Sequence, residues 1–121
     1  MAKTIMIVDD SFSARQAISL FLRDEGYQVV EAIDGKDALR KAGETAIDMV
    51  ITDINMPNMD GITLIRELRR LPAFKFIPII IQTTEFHSDR KQEGKAAGAT
   101  GWVVKPFHSE QLLGVIKKMF G

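Results

Sequence analysis

The feature that most limits what this chain can fold into is an alternation repeated five times. A short apolar run stops at a polar residue, and a longer segment with apolar positions at helical spacing follows. The runs are Thr4 to Val8, Gln28 to Ala32, Asp48 to Thr52, Ile77 to Gln82 and Thr100 to Val104. Several are apolar almost throughout and rich in β-branched residues, the pattern of strands buried on both faces. The first helical segment begins at Ser11, turns Ala14, Ala17, Ile18, Phe21 and Leu22 inward, and closes at Gly26. Asp34-Gly35 opens the second, with Ala38, Leu39 and Ala42 inward and Gly43 at its end. A loop from Pro57 to Gly61 leads to the third, whose inner side is Ile62, Ile65 and Leu68, with Pro72 just beyond. The fourth, Ser88 to Ala97, lacks large apolar residues and should be loosely held; the fifth carries Leu112, Leu113, Ile116, Met119 and Phe120 inward.

Strands that alternate with helices imply a parallel sheet, because each right-handed crossover needs a covering helix for its return. The expected architecture is an α/β three-layer sandwich of five strands and five helices, and residues 1–121 are read as one domain. A closed eight-unit barrel needs about twice this length. With 16 basic and 16 acidic residues, the charge gives no reason to expect a nucleic-acid partner. The absence of cysteine removes disulfides, thiolate metal sites and cysteine nucleophiles together. No apolar run approaches the roughly 20 residues of a membrane span, so a cytoplasmic protein with no membrane partner is expected.

In an open parallel sheet, ligands bind beyond the carboxyl ends of the strands. Here those ends carry Asp9 and Asp10, Asp53, Thr83 and Lys105, on strands one, three, four and five. If the strand order is 2-1-3-4-5, these four strands are contiguous and their polar ends share one crevice. Two like charges about 4 Å apart cost on the order of 4 kcal/mol at an effective dielectric near 20, so three clustered carboxylates call for a cation. Oxygen ligands without His or Cys favour magnesium or manganese, and magnesium is the expected occupant. A carboxylate, a divalent cation and a lysine around one point suit phosphoryl transfer, with Asp53 the best nucleophile. For any single position, helix capping is the simpler account; for all five together, a site is the better one.

Asp9-Asp10, Asp53 within DINMPNMDG, Thr83-Thr84 and Lys105-Pro106-Phe107 together resemble the signature of response-regulator receiver domains, which share the flavodoxin-like 2-1-3-4-5 sheet. The resemblance covers the whole chain. It implies that a CheA-like sensor histidine kinase phosphorylates Asp53. It further implies that Mg2+ is bound by Asp10, Asp53 and the backbone carbonyl of Asn55, with Asp9 acting through water. Lys105 would pair with one phosphoryl oxygen and the Thr83 hydroxyl with another. Trp102 would be the aromatic residue that turns inward as Thr83 moves. The lack of an output domain and the stretch GKAAGATGWVVKPF are similar to stand-alone, CheY-like chemotaxis regulators. By that resemblance the chain would be a monomeric switch, not an enzyme in its own right. Its helix-four, strand-five and helix-five face would bind the flagellar motor switch, and a phosphatase would be a further partner. The alternative is a phosphate sink or phosphorelay intermediate without motor binding.

Two residues depart from the family pattern. Trp102 is bulkier than the usual Tyr or Phe, and Thr84 is larger than the Ala or Gly found in many members, which would restrict access of small donors or water. The resemblance also suggests a cis bond before Pro106. A flavodoxin-like cofactor carrier is disfavoured because Asp9 and Asp10 would repel a phosphate. A phosphatase acting on external substrates would need an inserted cap. His87 and His108 are assigned no role, Met56 and Met59 are read as packing residues, and Arg66, Arg69 and Arg70 as a solvated face.

Overall fold

The computed structural model describes residues 2–84, 88–105 and 108–120. Five strands, β1 (Thr4–Val8), β2 (Gln28–Ala32), β3 (Met49–Thr52), β4 (Ile79–Thr83) and β5 (Gly101–Val104), alternate with five helices. The helices are α1 (Phe12–Asp24), α2 (Gly35–Ala42), α3 (Gly61–Arg69), α4 (Ser88–Ala97) and α5 (Ser109–Phe120). All pairings are parallel, in the order β2-β1-β3-β4-β5. The expected sandwich is therefore the observed one.

Strand alternation splits the core into two layers. Ile5, Ile7, Met49, Ile51, Ile80 and Val103 pack with Leu22 of α1 and with Leu112 and Ile116 of α5. Met6, Val8, Val50, Ile79 and Ile81 pack on the other side with residues of α2, α3 and α4, such as Ala38, Ile65 and Ala97. Because side chains of a strand alternate between faces, a polar residue two positions beyond an inward isoleucine belongs to the same layer. That rule decides where the strand-end residues go.

The first three helices start on side-chain caps. Ser11 Oγ accepts from Ala14 N at 3.3 Å, Asp34 Oδ1 from Asp37 N at 2.8 Å, and Asp60 Oδ1 from Thr63 N at 2.8 Å. Asp9, Asp10 and Asp53 are not among these caps, so helix capping does not explain them. α1 ends on Glu25, and Gly26 takes the left-handed conformation beyond it, with φ at 95°. Among the described residues, α4 buries only the small Gly94 and Ala97.

The structure differs from the sequence reading in a few places. β4 starts at Ile79, two residues later than expected, because Pro78 has no N–H for the ladder and the carbonyl of Ile77 is taken by Arg69. β3 and β5 each start one residue later than expected. Pro72–Phe74 forms a 3-10 turn that the sequence did not announce. In α1 the buried positions are Arg15, Ser19 and Leu22, and Ala17 is exposed, because Arg15 turns inward to polar partners. Arg69 is no solvated residue: its guanidinium donates to the carbonyls of Phe74 (2.8 Å), Ile77 (2.7 Å) and Gly98 (2.6 Å). Among the described residues no helix is long and apolar enough to cross a membrane.

Candidate functional site

The backbones of three strand-end residues extend the sheet's ladder past its last side-chain layer. Asp9 N donates to Ala32 O at 3.2 Å, Asp53 N to Val8 O at 3.0 Å, and Lys105 N to Thr83 O at 2.7 Å. Each is therefore fixed by a neighbouring strand. Counting by two from Ile7, Ile51 and Val103 puts all three side chains on the face covered by α1 and α5. There they meet: Lys105 Nζ lies 3.0 Å from Asp9 Oδ2 and 3.1 Å from Asp53 Oδ2.

Asp9 is fully buried. Its Oδ1 accepts from Ser11 N at 2.9 Å, and its Oδ2 accepts from Gln82 Nε2 at 3.3 Å as well as from Lys105. Asp53 is partly buried, and its Oδ1 accepts from Ile54 N at 2.7 Å. Burial raises its pKa above the ordinary carboxylate value, with Asp9 adding to the effect and Lys105 opposing it. For Lys105, burial disfavours the charge, but hydrogen bonds and charges from Asp9 and Asp53 outweigh it and the pKa rises. The raised pKa of Lys105 makes it the resident cation of the site.

Asp10 is exposed and completes a trio. Asp9, Asp10 and Asp53 each offer a carboxylate oxygen within 4.8 Å of the others. An all-oxygen donor set of this size, open to solvent on the Asp10 side, fits a hard divalent cation that keeps some of its water. Asn55, exposed, follows two residues after Asp53.

Thr83 and Trp102 fall on the opposite face of the sheet. Thr83 ends β4 in register with Ile79 and Ile81 and is buried, and Trp102 packs on that same layer. A Cβ on Gly94 would lie 2.5 Å from Ile81 Cδ1 and 3.4 Å from Trp102 Cζ3, so α4 sits close over both because position 94 has no side chain. Thr84 is exposed. It lines a cleft of about 500 Å³ between α1 and α5 that reaches Lys105. His108 is exposed; His87, Pro106 with its peptide bond, and Phe107 lie outside the described residues.

Three residues that support the site escaped the sequence reading. Arg15 Nη1 donates to the carbonyl of Asp9 at 2.8 Å, and its Nε pairs with Glu31 at 3.2 Å, which ties α1 and β2 to the acid pair. Gly61 lets the backbone of α3 approach Asp53: a Cβ there would stand 2.0 Å from Asp53 O. Gln82 interrupts the isoleucine run of β4 two residues after Ile80, a signal that was present in the sequence.

The family model for the response regulator receiver domain matches residues 5–117. The chain belongs to that family. Among curated receivers it is 40% identical over 117 residues to the chemotaxis protein CheY of Pseudomonas aeruginosa, covering 96% of this chain and 94% of that one. Among solved receivers, the chemotaxis protein CheY4 of Vibrio cholerae superposes with a TM-score of 0.95 at 45% identity, covering 98% of this chain and 99% of that one. The receiver domain of the sensor histidine kinase PA1611 of Pseudomonas aeruginosa superposes with a TM-score of 0.92 at 27% identity, covering 100% of this chain and 99% of that one. That structure holds a magnesium ion in its active-site cleft. The three carboxylates of the present receiver offer a donor set of the kind such an ion requires.

Proposed function

We infer that residues 1–121 act as one receiver domain that accepts a phosphoryl group on Asp53. The observation that carries this reading is the Lys105 ammonium held between Asp9 and Asp53, beside the third acid, on one face of the sheet. In the transfer, an oxygen of the Asp53 carboxylate forms the new bond to phosphorus. The N–P bond of a donor phosphohistidine breaks, and its electron pair stays on the leaving imidazole. Lys105, within reach of Asp53 Oδ2, would hold an equatorial oxygen of the arriving group. Mg2+, held by Asp10, Asp53 and the carbonyl of Asn55, with Asp9 acting through water, would supply further neutralisation of that charge. The engagement of Asp9 with Lys105, Gln82 and Ser11 N agrees with an indirect role for it.

The buried Thr83 hydroxyl would take another phosphoryl oxygen and Trp102 would register the change, altering the α4-β5-α5 face. The likeness to chemotaxis regulators favours a CheA-like kinase as donor, the flagellar motor switch as target, a phosphatase as antagonist and a cytoplasmic, monomeric protein. The phosphoryl chemistry would be confined to the protein's own Asp53. A phosphate sink or phosphorelay intermediate is the second reading, favoured by the close superposition on a receiver that belongs to a sensor histidine kinase. Intact-mass spectrometry after incubation with Mg2+ and phosphoramidate tests the acceptor: one phosphoryl group should be gained, and none by Asp53→Ala or without Mg2+. Binding of the phosphorylated chain to a purified motor-switch protein separates the two readings.

A further inference from the structure

β4 carries a side chain whose presence the acceptor reading leaves unexplained. Gln82 follows three consecutive isoleucines, is fully buried, and stands with Ile80 on the face of α1 and α5. Its Nε2 donates to Asp9 Oδ2 at 3.3 Å, while its Oε1 has no hydrogen-bond partner among the described residues. A buried amide with one arm unsatisfied is destabilising relative to an aliphatic residue of similar size. The oxygen that Gln82 serves is the same one that Lys105 takes at 3.0 Å.

That sharing matters once Asp53 carries a dianionic group. Lys105 is then drawn toward the new oxygens, and the buried Asp9 Oδ2 is left in need of another donor. We propose that Gln82 is a positioning residue of this site. It keeps Asp9 Oδ2 hydrogen-bonded while Lys105 turns to the group on Asp53, and so strengthens the hold on that group. The proposal rests on the reading of Asp53 as acceptor. In the free site Lys105 already satisfies Asp9, so Gln82 contributes to retention of the phosphoryl group and little to the affinity for the metal.

Beryllofluoride, a tetrahedral phosphoryl mimic, gives the test. Wild type, Gln82→Met and Gln82→Leu are compared for Mg2+ affinity by calorimetry and for beryllofluoride affinity by fluorine NMR at saturating Mg2+. Loss of one hydrogen bond to a charged group predicts a fall in beryllofluoride affinity of about tenfold or more, with Mg2+ affinity held within about twofold. In the wild type, the Gln82 side-chain amide proton should move downfield as the mimic binds. Unchanged beryllofluoride affinity in the variants overturns the proposal. So does an equal loss of both affinities, which marks Gln82 as packing alone. If neither variant folds, an unmoved Gln82 amide in the wild type overturns it on its own. Failure of the wild type to take up beryllofluoride with Mg2+ overturns the acceptor reading, and the proposal falls with it.

Discussion

A Cβ placed on Gly61 would stand 2.0 Å from the carbonyl oxygen of Asp53, and 2.9 Å from its carbonyl carbon. Both sides of that contact are backbone, so neither yields by a change of rotamer. Gly61 N also donates to Ile54 O at 2.8 Å, which pins the start of α3 against the site. Gly61→Ala is expected to destabilise the fold by about 3 kcal/mol, the upper part of the usual range for overpacking. It should also slow phosphorylation of the protein that remains folded, because Asp53 must shift. Urea midpoints and phosphoramidate labelling rates measure the two effects.

Removing the Asp53 charge should stabilise the metal-free protein. Burial raises the pKa of Asp53 in the folded state, so between the ordinary carboxylate value of about 3.9 and the raised one the folded chain binds more protons than the unfolded chain. Stability then falls as pH rises through that window. Asp53→Asn avoids this penalty and keeps Lys105 paired with Asp9. In EDTA its melting temperature should exceed the wild type's at pH 7, and the gap should close as pH falls to 4. A gap that is independent of pH would contradict the burial argument.

Divalent metal should relieve the same crowding. At ten times its dissociation constant Mg2+ would stabilise the chain by about 1.4 kcal/mol, raising the melting temperature by roughly 5 °C. Asp10→Ala, which removes an exposed member of the trio, should lose most of that increment while changing the metal-free melting temperature little. Calorimetric melts with and without Mg2+ supply the four values.

Arg69 clamps three chain segments through the carbonyls of Phe74, Ile77 and Gly98. Arg69→Ala leaves these partly buried acceptors without their donor and should cost about 2–4 kcal/mol. Arg69→Lys should recover less than half, since one ammonium cannot reproduce the planar fork. Denaturant midpoints of the two variants give the comparison, and equal stability of Lys and Arg at this position would remove the clamp argument.

The strands and the polar residues at their ends were legible because both are local. A run such as Thr4 to Val8 announces its own burial, and the point where it meets Asp9 announces the site. Period-two counting from Ile7 and Ile51 also brings Asp9 and Asp53 to one face once the sheet order is known, and that order came from the resemblance. What the sequence hid depends on distant partners. Arg69 read as a surface charge because its acceptors lie five to 29 positions away. Arg15 took the place of Ala17 on the inner face of α1 because Glu31 and the Asp9 carbonyl are there to meet it. The start of β4 was misplaced because hydropathy does not register that Pro78 lacks an N–H.

The sheet divides the labour of this molecule as a bulkhead divides a hull. Asp9, Asp53, Gln82 and Lys105 lie on the side of α1 and α5, and Thr83 and Trp102 on the side of α3 and α4. A direct thread across it is the backbone hydrogen bond from Lys105 N to Thr83 O, 2.7 Å long. Side chains over Trp102 and α4 can therefore be exchanged while the acids behind the sheet keep their neighbours.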